Sequence, residues 1–290
     1  MSLLATRDQA SYDLLASDPG ARPVTVAAPS LTTEICLGMM QLAPSGLSEQ
    51  WFLRLCGDRH WSLIAEAMGQ EQAVFTDESG RPIYAAFCAT SAIFNPAEGA
   101  LLGQTVRLSS ALFEVSGAQI GSVHQIRLGG KLVAELRMIS TFVGHDESGS
   151  NHRILRRQPR VQISLPPAPA VLQLLASTAR QQARSLRRDP VACPAAQPAT
   201  TTFTPCPSLD FNAVGLLYFP SFSRMAEQTE WRMRREMAAL ARRDVFYLGN
   251  LEPGESVTLH APDAALDVWR EDGRIIARIL THRHSGGAPV

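Results

Sequence analysis

Hydrophobic positions between residues 48 and 68 recur at the intervals of a helix, and the spacing changes to that of strands further along the chain. Ser48 is a candidate N-cap at the start of this segment. The pattern predicts a helix over residues 49–56, a break or kink at Gly57-Asp58, and helix again over residues 60–68.

Four strand-like runs follow this helical segment, and turn residues separate them. The pair Gly129-Gly130 is a two-residue hairpin signal between the last two runs. A helix followed by antiparallel strands predicts an α+β unit in which the helix lies on one face of the sheet. The predicted strands cover residues 83–94, 101–115, 119–128 and 131–143.

The order of elements repeats after residue 200, although the two halves share no obvious sequence identity. A strand-like stretch over residues 200–210 precedes a predicted helix over residues 221–241. The predicted strands of this half cover residues 245–251, 256–260, 265–270 and 274–282. We therefore divide the chain into an N-terminal extension (1–23), a first unit (24–145), a linker with one helix at 171–188 (146–199), and a second unit (200–284).

Composition narrows the range of partners. The chain of 290 residues carries 27 Lys and Arg against 27 Asp and Glu, so nothing in its charge favours a nucleic acid or an anionic membrane. Its cysteines are odd in number and none have C-x-x-C spacing, which predicts free thiols in a reducing cytoplasm. No apolar run reaches the length of a membrane span. The histidines and cysteines show no metal-ligand spacing, so we expect no metal site.

One motif carries the chemical interpretation, the stretch LDFNAVGLLYFPSFSRMAEQTEW over residues 209–231. It resembles the signature of the hot-dog thioesterases, D-x-D-x-x-G-x-x-(F/Y)-(F/Y)-x-x-Y, which leads into the central helix of that fold. Asn212 stands at the second acidic position, where those enzymes place the general base or nucleophile. Because an amide cannot take up a proton at neutral pH, the motif predicts an acyl-thioester site but argues against ordinary hydrolysis there.

A second resemblance covers nearly the whole chain. The segments GLSEQWFLRLCGDRHWSLIAEAMG, GRPIYAAF and DFNAVGLLYFPSF resemble the leinamycin-type bifunctional acyltransferase/decarboxylase family of polyketide biosynthesis. The resemblance implies a double hot-dog fold and an enzyme that takes a methylmalonyl group from coenzyme A, decarboxylates it, and leaves propionyl on an acyl carrier protein. It also implies coenzyme A and phosphopantetheine as substrate carriers and no other cofactor. A monomer and a homodimer are both open, because a double hot-dog can be self-sufficient. The catalytic tyrosine of the family corresponds by context to Tyr84.

The chemistry implied for Tyr84 is the stabilisation of an enolate. Since an unperturbed phenol has a pKa of about 10, we expect Tyr84 to donate a hydrogen bond or a proton and not to act as a nucleophile. Asn212 could hydrogen-bond the substrate without repelling its carboxylate, and His60 is a candidate acid or base near neutral pH. Each residue also has a purely structural alternative. Tyr84 could pack against neighbouring side chains of the sheet, Asn212 could form an Asx-turn, and His60 could be a hydrogen-bonded histidine on the helix surface or in the interior.

Backbone donors at two helix N-termini are the candidate oxyanion sites. Gly46, Leu47 and Ser48 belong to the first, and the second covers residues 218–222 and begins at Tyr218. Asp210 and Gly215, in the motif that leads into the second, are further candidates for substrate binding. We expect these six residues to contact the substrate. An ordinary capped helix is the alternative at each position, and Asp210 is also a plausible turn former.

Two other functions remain open. The chain could be a thioesterase or dehydratase relative acting on a carrier-bound acyl chain, with Glu227 or Glu230 supplying the carboxylate that Asn212 lacks. It could also be a non-catalytic member of the fold that binds carrier proteins.

Overall fold

The computed structural model describes residues 27–97, 99–188, 200–234, 238–260 and 265–285. The predicted N-terminal extension, residues 1–23, lies outside this part of the chain. Among the helices that the structure describes, none combines the length and apolar character needed to cross a membrane.

Strands and helices alternate along the chain in two similar series. The first series contains β1 (Ser30–Cys36), a 3-10 turn (Met39–Gln41), β2 (Leu42–Ala43), β3 (Gly46–Leu47), α1 (Glu49–Ala67), β4 (Phe75–Thr76), β5 (Pro82–Phe94), β6 (Thr105–Ser116), β7 (Gln119–Leu128), β8 (Lys131–His145), β9 (Ile154–Arg156) and α2 (Ala170–Arg188). The second contains β10 (Thr200–Phe203), α3 (Pro207–Asp210), α4 (Phe219–Arg234), β11 (Leu240–Tyr247), β12 (Val257–His260), β13 (Ala265–Arg270) and β14 (Ile275–Arg283).

The long strands form one antiparallel sheet with the order β1-β6-β7-β8-β5-β11-β14-β13-β12-β10. In the first series the long strands are, in chain order, β1, β5, β6, β7 and β8. In the sheet, the second of them (β5) lies after the fifth (β8), so the spatial order is first, third, fourth, fifth, second. Counted from β10, the second five strands follow the same order. The two series meet where residues 89–93 of β5 pair with residues 242–246 of β11. Helices on an antiparallel sheet confirm the predicted α+β class.

The helices cover both faces of the sheet. Met138 of β8 packs in one core with Phe52 of α1, whereas its neighbour Ile139 packs with Leu172 of α2. Because successive side chains of a strand point to opposite faces, α1 and α2 lie on opposite sides. Helix α4 contacts α1 and therefore shares its face.

Helix α1 is one continuous helix, so the break predicted at Gly57-Asp58 is wrong. Ser48 caps it as predicted and accepts a hydrogen bond from the backbone N–H of Trp51 at 3.3 Å. Gly57 is buried against α4, where a Cβ atom would meet the ring of Phe219. The glycine therefore permits a close approach of two helices and does not end one.

Several predicted boundaries of helices and strands are also wrong, because strand pairing or proline residues determine where these elements begin and end. The helix predicted over 221–241 includes Leu240, which begins β11 because it pairs with β14. The strand predicted over 200–210 ends at Phe203, because Pro205 follows it and Pro207 begins the short helix α3. Part of the predicted linker belongs to the first sheet, since β9 pairs with β8.

Candidate functional site

A cavity of about 1040 Å³ lies where α1, the start of α4 and the junction between the two strand series meet. Its walls include Arg54 and Asp58 of α1, Tyr218 and Phe219 at the start of α4, and Tyr247 of β11. This volume is at the upper end of the range for pockets that bind small molecules. Both halves of the chain contribute residues to its walls.

Intervals of three and four residues place the α1 wall of the cavity on one stripe of that helix. Arg54, Asp58 and Trp61 are separated by four and three positions, and all three line the cavity. Gly57 completes the stripe and leaves room for Phe219. The indole Nε1–H of Trp61 donates to the carbonyl of Ala85 at 3.1 Å, which fixes α1 against β5.

Tyr84 lies on the cavity wall, half-buried on β5. It pairs across the sheet with Val143 of β8, and its ring meets the ring of His145 edge-on at a centroid distance of 6.2 Å. The structure thus gives Tyr84 access to a ligand, and the catalytic role assigned to it stays a prediction.

Asn212 also lines the cavity, and it orders its own loop. Its side-chain oxygen accepts hydrogen bonds from the backbone N–H groups of Val214 at 3.2 Å and Leu216 at 3.0 Å. This is the Asx-turn alternative. The amide nitrogen is the polar group that Asn212 has left to offer to a ligand.

Asp210 and Gly215 shape this loop and do not line the cavity. The Asp210 carboxylate is buried in an ion pair with Arg224 at 2.5 Å, and its backbone carbonyl accepts from the N–H of Tyr218 at 2.7 Å. Gly215 has a φ of 77°, which a side chain would strain. Its carbonyl accepts from the side-chain amide of Asn151 at 2.7 Å. The substrate contacts predicted for these two residues find no support in this placement.

His60 is enclosed in the core of the first series, away from the cavity, so the acid–base role predicted for it is wrong. Its Nδ1 atom lies 2.7 Å from Ser122 Oγ and its Nε2 atom 2.7 Å from Ser140 Oγ. Burial lowers the pKa of His60 to about 3, so the ring is neutral at physiological pH. The ring of Phe87 lies 5.1 Å from the His60 ring, and Phe87 lines the cavity whereas His60 does not.

The N-terminus of α1 is likewise not part of the cavity wall. Gly46, Leu47 and Ser48 precede a buried cluster of charged side chains instead of a space for a ligand. Glu49 lies 3.2 Å from Arg243, whose side chain is fully buried. The N-terminus of α1 thus adjoins an ion pair and not the cavity.

Glu227 and Glu230 belong to the same cluster, which removes them as substitutes for a catalytic carboxylate. Glu227 lies 2.5 Å from Arg243 and 2.8 Å from Arg283. Glu230 lies 2.8 Å from Arg283. Neither glutamate lines the cavity.

Asp58 is the acidic side chain that sequence reasoning passed over, because it assigned the chemistry of that turn to His60. Partial burial raises the pKa of Asp58 above its ordinary value. Burial, together with the negative charge of Asp58, raises the pKa of Tyr218 to about 12. The four-residue interval from Arg54 is the sequence signal that could have identified it. Among the described residues no group of His, Cys, Asp and Glu side chains is arranged to hold a metal ion.

No protein-family model matches the sequence, and no curated protein is similar to it. Solved structures do match its fold. The acyl-ACP thioesterase of Bacteroides thetaiotaomicron is 9% identical with a TM-score of 0.59, over 87% of this chain and 97% of that one. The 12:0-ACP thioesterase of Umbellularia californica is 11% identical with a TM-score of 0.57, over 87% and 96%. An oleoyl thioesterase of Lactobacillus plantarum is 11% identical with a TM-score of 0.58, over 88% and 95%.

These comparisons define the class of the fold. Together with the antiparallel sheet and its few helices, they assign the chain to the α+β hot-dog fold. At such low identity the similarity concerns the fold and not the reaction.

Proposed function

We propose that this protein is an enzyme acting on an acyl group that an acyl carrier protein presents as a phosphopantetheine thioester. The observation that carries the proposal is the cavity between the two strand series, which combines a carboxylate, phenols and an apolar wall. Its neighbours in fold are named as thioesterases of carrier-bound or oleoyl groups.

The architecture that fits this function is a tandem double hot-dog. Each series of five long strands has the same order, and each has its own helix on the shared face, α1 or α4. The two series join through their second strands, β5 and β11. We therefore propose that one chain provides both hot-dog units, so that α1 of the first unit faces the Asn212 loop of the second across the cavity.

Hydrolysis is the reaction that the fold neighbours favour. In this mechanism Asp58 takes a proton from a water molecule as that water attacks the thioester carbonyl. Tyr218 remains protonated because its pKa is raised to about 12, so its hydroxyl can donate to the developing oxyanion. The tetrahedral intermediate then collapses, its C–S bond breaks, and the phosphopantetheine sulfur leaves as a thiol with the proton that Asp58 took from the water. This route uses a carboxylate on α1 and so does not depend on Asn212 acting as a base.

Transfer with decarboxylation is the second candidate, and the positions of Tyr84 and Asn212 on the cavity wall favour it. Asn212 has an amide where a carboxylate would repel a malonyl-type anion. Tyr84 would donate to the enolate that forms when carbon dioxide leaves. The substrate in this case is methylmalonyl-coenzyme A, and the product is a propionyl carrier protein, as the sequence resemblance implies.

Intact-mass spectrometry of carrier proteins separates the two reactions. We expect an acylated carrier to lose its acyl group when the enzyme hydrolyses it, and Asp58→Asn to stop that loss. Glu66→Gln, an exposed carboxylate further along α1, is the matched control. A holo carrier that gains propionyl from methylmalonyl-coenzyme A would establish the second reaction, and a methylmalonyl adduct would indicate transfer alone. Unchanged masses across several carriers and acyl groups would refute the enzymatic proposal.

A further inference from the structure

The cavity passes through the sheet and does not lie on one side of it. Phe246 and Tyr247 are neighbours on β11, and both line the cavity. Phe246 packs in the core beneath α2, whereas the Tyr247 ring lies 5.3 Å from Phe222 of α4. Because neighbouring side chains on a strand point to opposite faces, the cavity reaches both faces of the sheet.

The passage lies where β5 and β11 separate. The two strands pair only from residue 89 of β5 onward, and residues 84–88 line the cavity instead. The end of the cavity on the side of α1 and α4 contains Asp58 and Tyr218. The other end lies beneath α2, and we call it the α2 end.

The residues at the α2 end form a coherent group. Val143 pairs with Tyr84 on one side and with Arg156 on the other, so these three side chains project from the same face. That face is the α2 side, since Ile139 four positions earlier on β8 packs against α2. Arg180 of α2 also lines the cavity and completes the α2 end.

Within the part of the chain that the structure describes, no carboxylate compensates the charge at the α2 end. Asp58 is the only carboxylate among the described residues that line the cavity, and it lies on α1, on the other face of the sheet. Within the described residues neither Arg156 nor Arg180 forms a salt bridge. Two guanidinium groups and a phenol beside an apolar passage are suited to bind an anion, because guanidinium matches a carboxylate in geometry and charge.

We propose that the α2 end binds a carboxylate at the far end of the acyl chain, so that the preferred substrates are long dicarboxylic acyl thioesters. The inference rests on the proposed function, with the thioester near Asp58. The chain then crosses the sheet through the passage, and its terminal carboxylate meets Arg156, Arg180 and Tyr84. A volume of about 1040 Å³ exceeds the need of a short acyl group and accommodates such a chain.

The test compares binding of two ligands that differ only at the chain end. Calorimetry with the thioether analogues of octanoyl-coenzyme A and suberoyl-coenzyme A measures affinity without turnover, and the decanoyl and sebacoyl pair extends the length. We expect the dicarboxylic ligand of the better-fitting length to bind roughly tenfold more tightly, as hydrogen bonds to charged groups allow. Arg156→Gln and Arg180→Gln should remove most of that preference and leave the monocarboxylic ligand unaffected. Arg184→Gln, exposed on the same helix and away from the cavity, should change neither.

Each contrary result has its own meaning. Equal affinity for both members of each pair overturns the proposal and leaves the proposed function intact. A variant that weakens both ligands alike shows that the arginines contact the phosphates of coenzyme A. An arginine-dependent preference for methylmalonyl- over propionyl-coenzyme A would place the thioester itself at the α2 end and would also overturn it. If no acyl ligand binds, the proposed function falls and this inference falls with it.

Discussion

Gly57 of α1 lies so close to Phe219 of α4 that a Cβ atom at residue 57 would be 2.8 Å from Cε1 of the phenylalanine ring. The same Cβ would be 3.6 Å from the hydroxyl of Tyr218. The distance between the two helices at the cavity is therefore set by the absence of one side chain. Phe219 in turn contacts Phe87 of β5 edge-on at 4.5 Å, so the glycine determines where the apolar wall lies.

Replacement of this glycine should disturb both stability and the site. For Gly57→Ala, we expect a loss of about 1–2 kcal/mol in the free energy of unfolding, because overpacking costs more than the helix gains from alanine. Ligand affinity should fall as well, since Phe219 and Tyr218 must move. Denaturant unfolding and calorimetry measure the two effects. Gly117→Ala is the control, because a Cβ there meets nothing within 4 Å. A stabilised Gly57→Ala protein would show that the helices can separate at no cost.

Asp58→Asn should lower the rate of thioester hydrolysis by about two to four orders of magnitude, the usual contribution of a general base. The Michaelis constant should change little, because the substitution preserves shape. In the native protein the rate should fall as the pH is lowered through the pKa of Asp58, which lies above the ordinary carboxyl value, since only the ionised form accepts a proton. A pH–rate profile that keeps its acid limb in the variant would assign the base to another group.

The buried histidine pair should make the protein sensitive to mild acid. Ser122 Oγ lies 2.7 Å from His60 Nδ1 and 2.8 Å from His124 Nε2, and burial lowers the pKa of both rings. A folded pKa below the unfolded value means that this stability is complete above about pH 6.5 and is lost as the pH falls toward the folded value of about 3. We expect a loss of roughly 1.4 kcal/mol per pH unit for His60 below about pH 6.

Denaturant unfolding at several pH values checks this expectation with His60→Gln as the comparison. Glutamine retains hydrogen-bonding groups but does not titrate, so the variant should lose stability less steeply as the pH falls. Its stability at neutral pH will be lower, because the amide does not reproduce both bonds of the ring. Parallel curves for the two proteins would mean that other groups account for the acid sensitivity.

Removal of the Arg243 side chain should cost far more than removal of an exposed arginine. Arg243→Leu leaves Glu49 buried without its partner, and we expect a loss of about 3–5 kcal/mol in the free energy of unfolding. The loss should shrink in acid, because burial already raises the pKa of Glu49 and a protonated glutamate needs no counter-charge. Arg107→Leu is the control. The Arg107 guanidinium lies 3.7 Å from the Glu34 carboxylate, and the two side chains are 65% and 67% exposed. Such an exposed ion pair should contribute less than about 1 kcal/mol to the free energy of unfolding. Equal losses for the two variants would contradict the importance of the buried cluster.

The α+β class was predictable from the chain because the periods of α1 and of the long strands are strong local signals. Gly57 shows the limit of that reasoning. A glycine in a helical pattern has the same local signature whether it ends the helix or permits another helix to approach, and only the position of Phe219 distinguishes the two. Leu240 is similar, since its strand conformation comes from pairing with β14 and not from its own propensity.

The cavity was predictable only in part. The two motifs selected for their family resemblance, around Asn212 and around Tyr84, both reach its wall. His60 was misassigned because sequence cannot show that two serines from β7 and β8 enclose it. Arg156 and Arg180 lie at the same end of the cavity because of strand register and helix packing, which no local pattern of residues reveals.

Because β5 pairs with β11, the two halves of the chain share one sheet and each depends on the other for part of its structure. Asn151, which follows the last long strand of the first series, donates to the carbonyls of Gly215 and Leu251 in the second at 2.7 Å and 3.0 Å. Each half thus supplies part of the other's working surface. If the chain were expressed as two fragments divided between residues 188 and 200, neither would hold a complete cavity, and function would return only when the fragments reassembled. Neither series of strands can therefore be removed without loss of the cavity that both help to form.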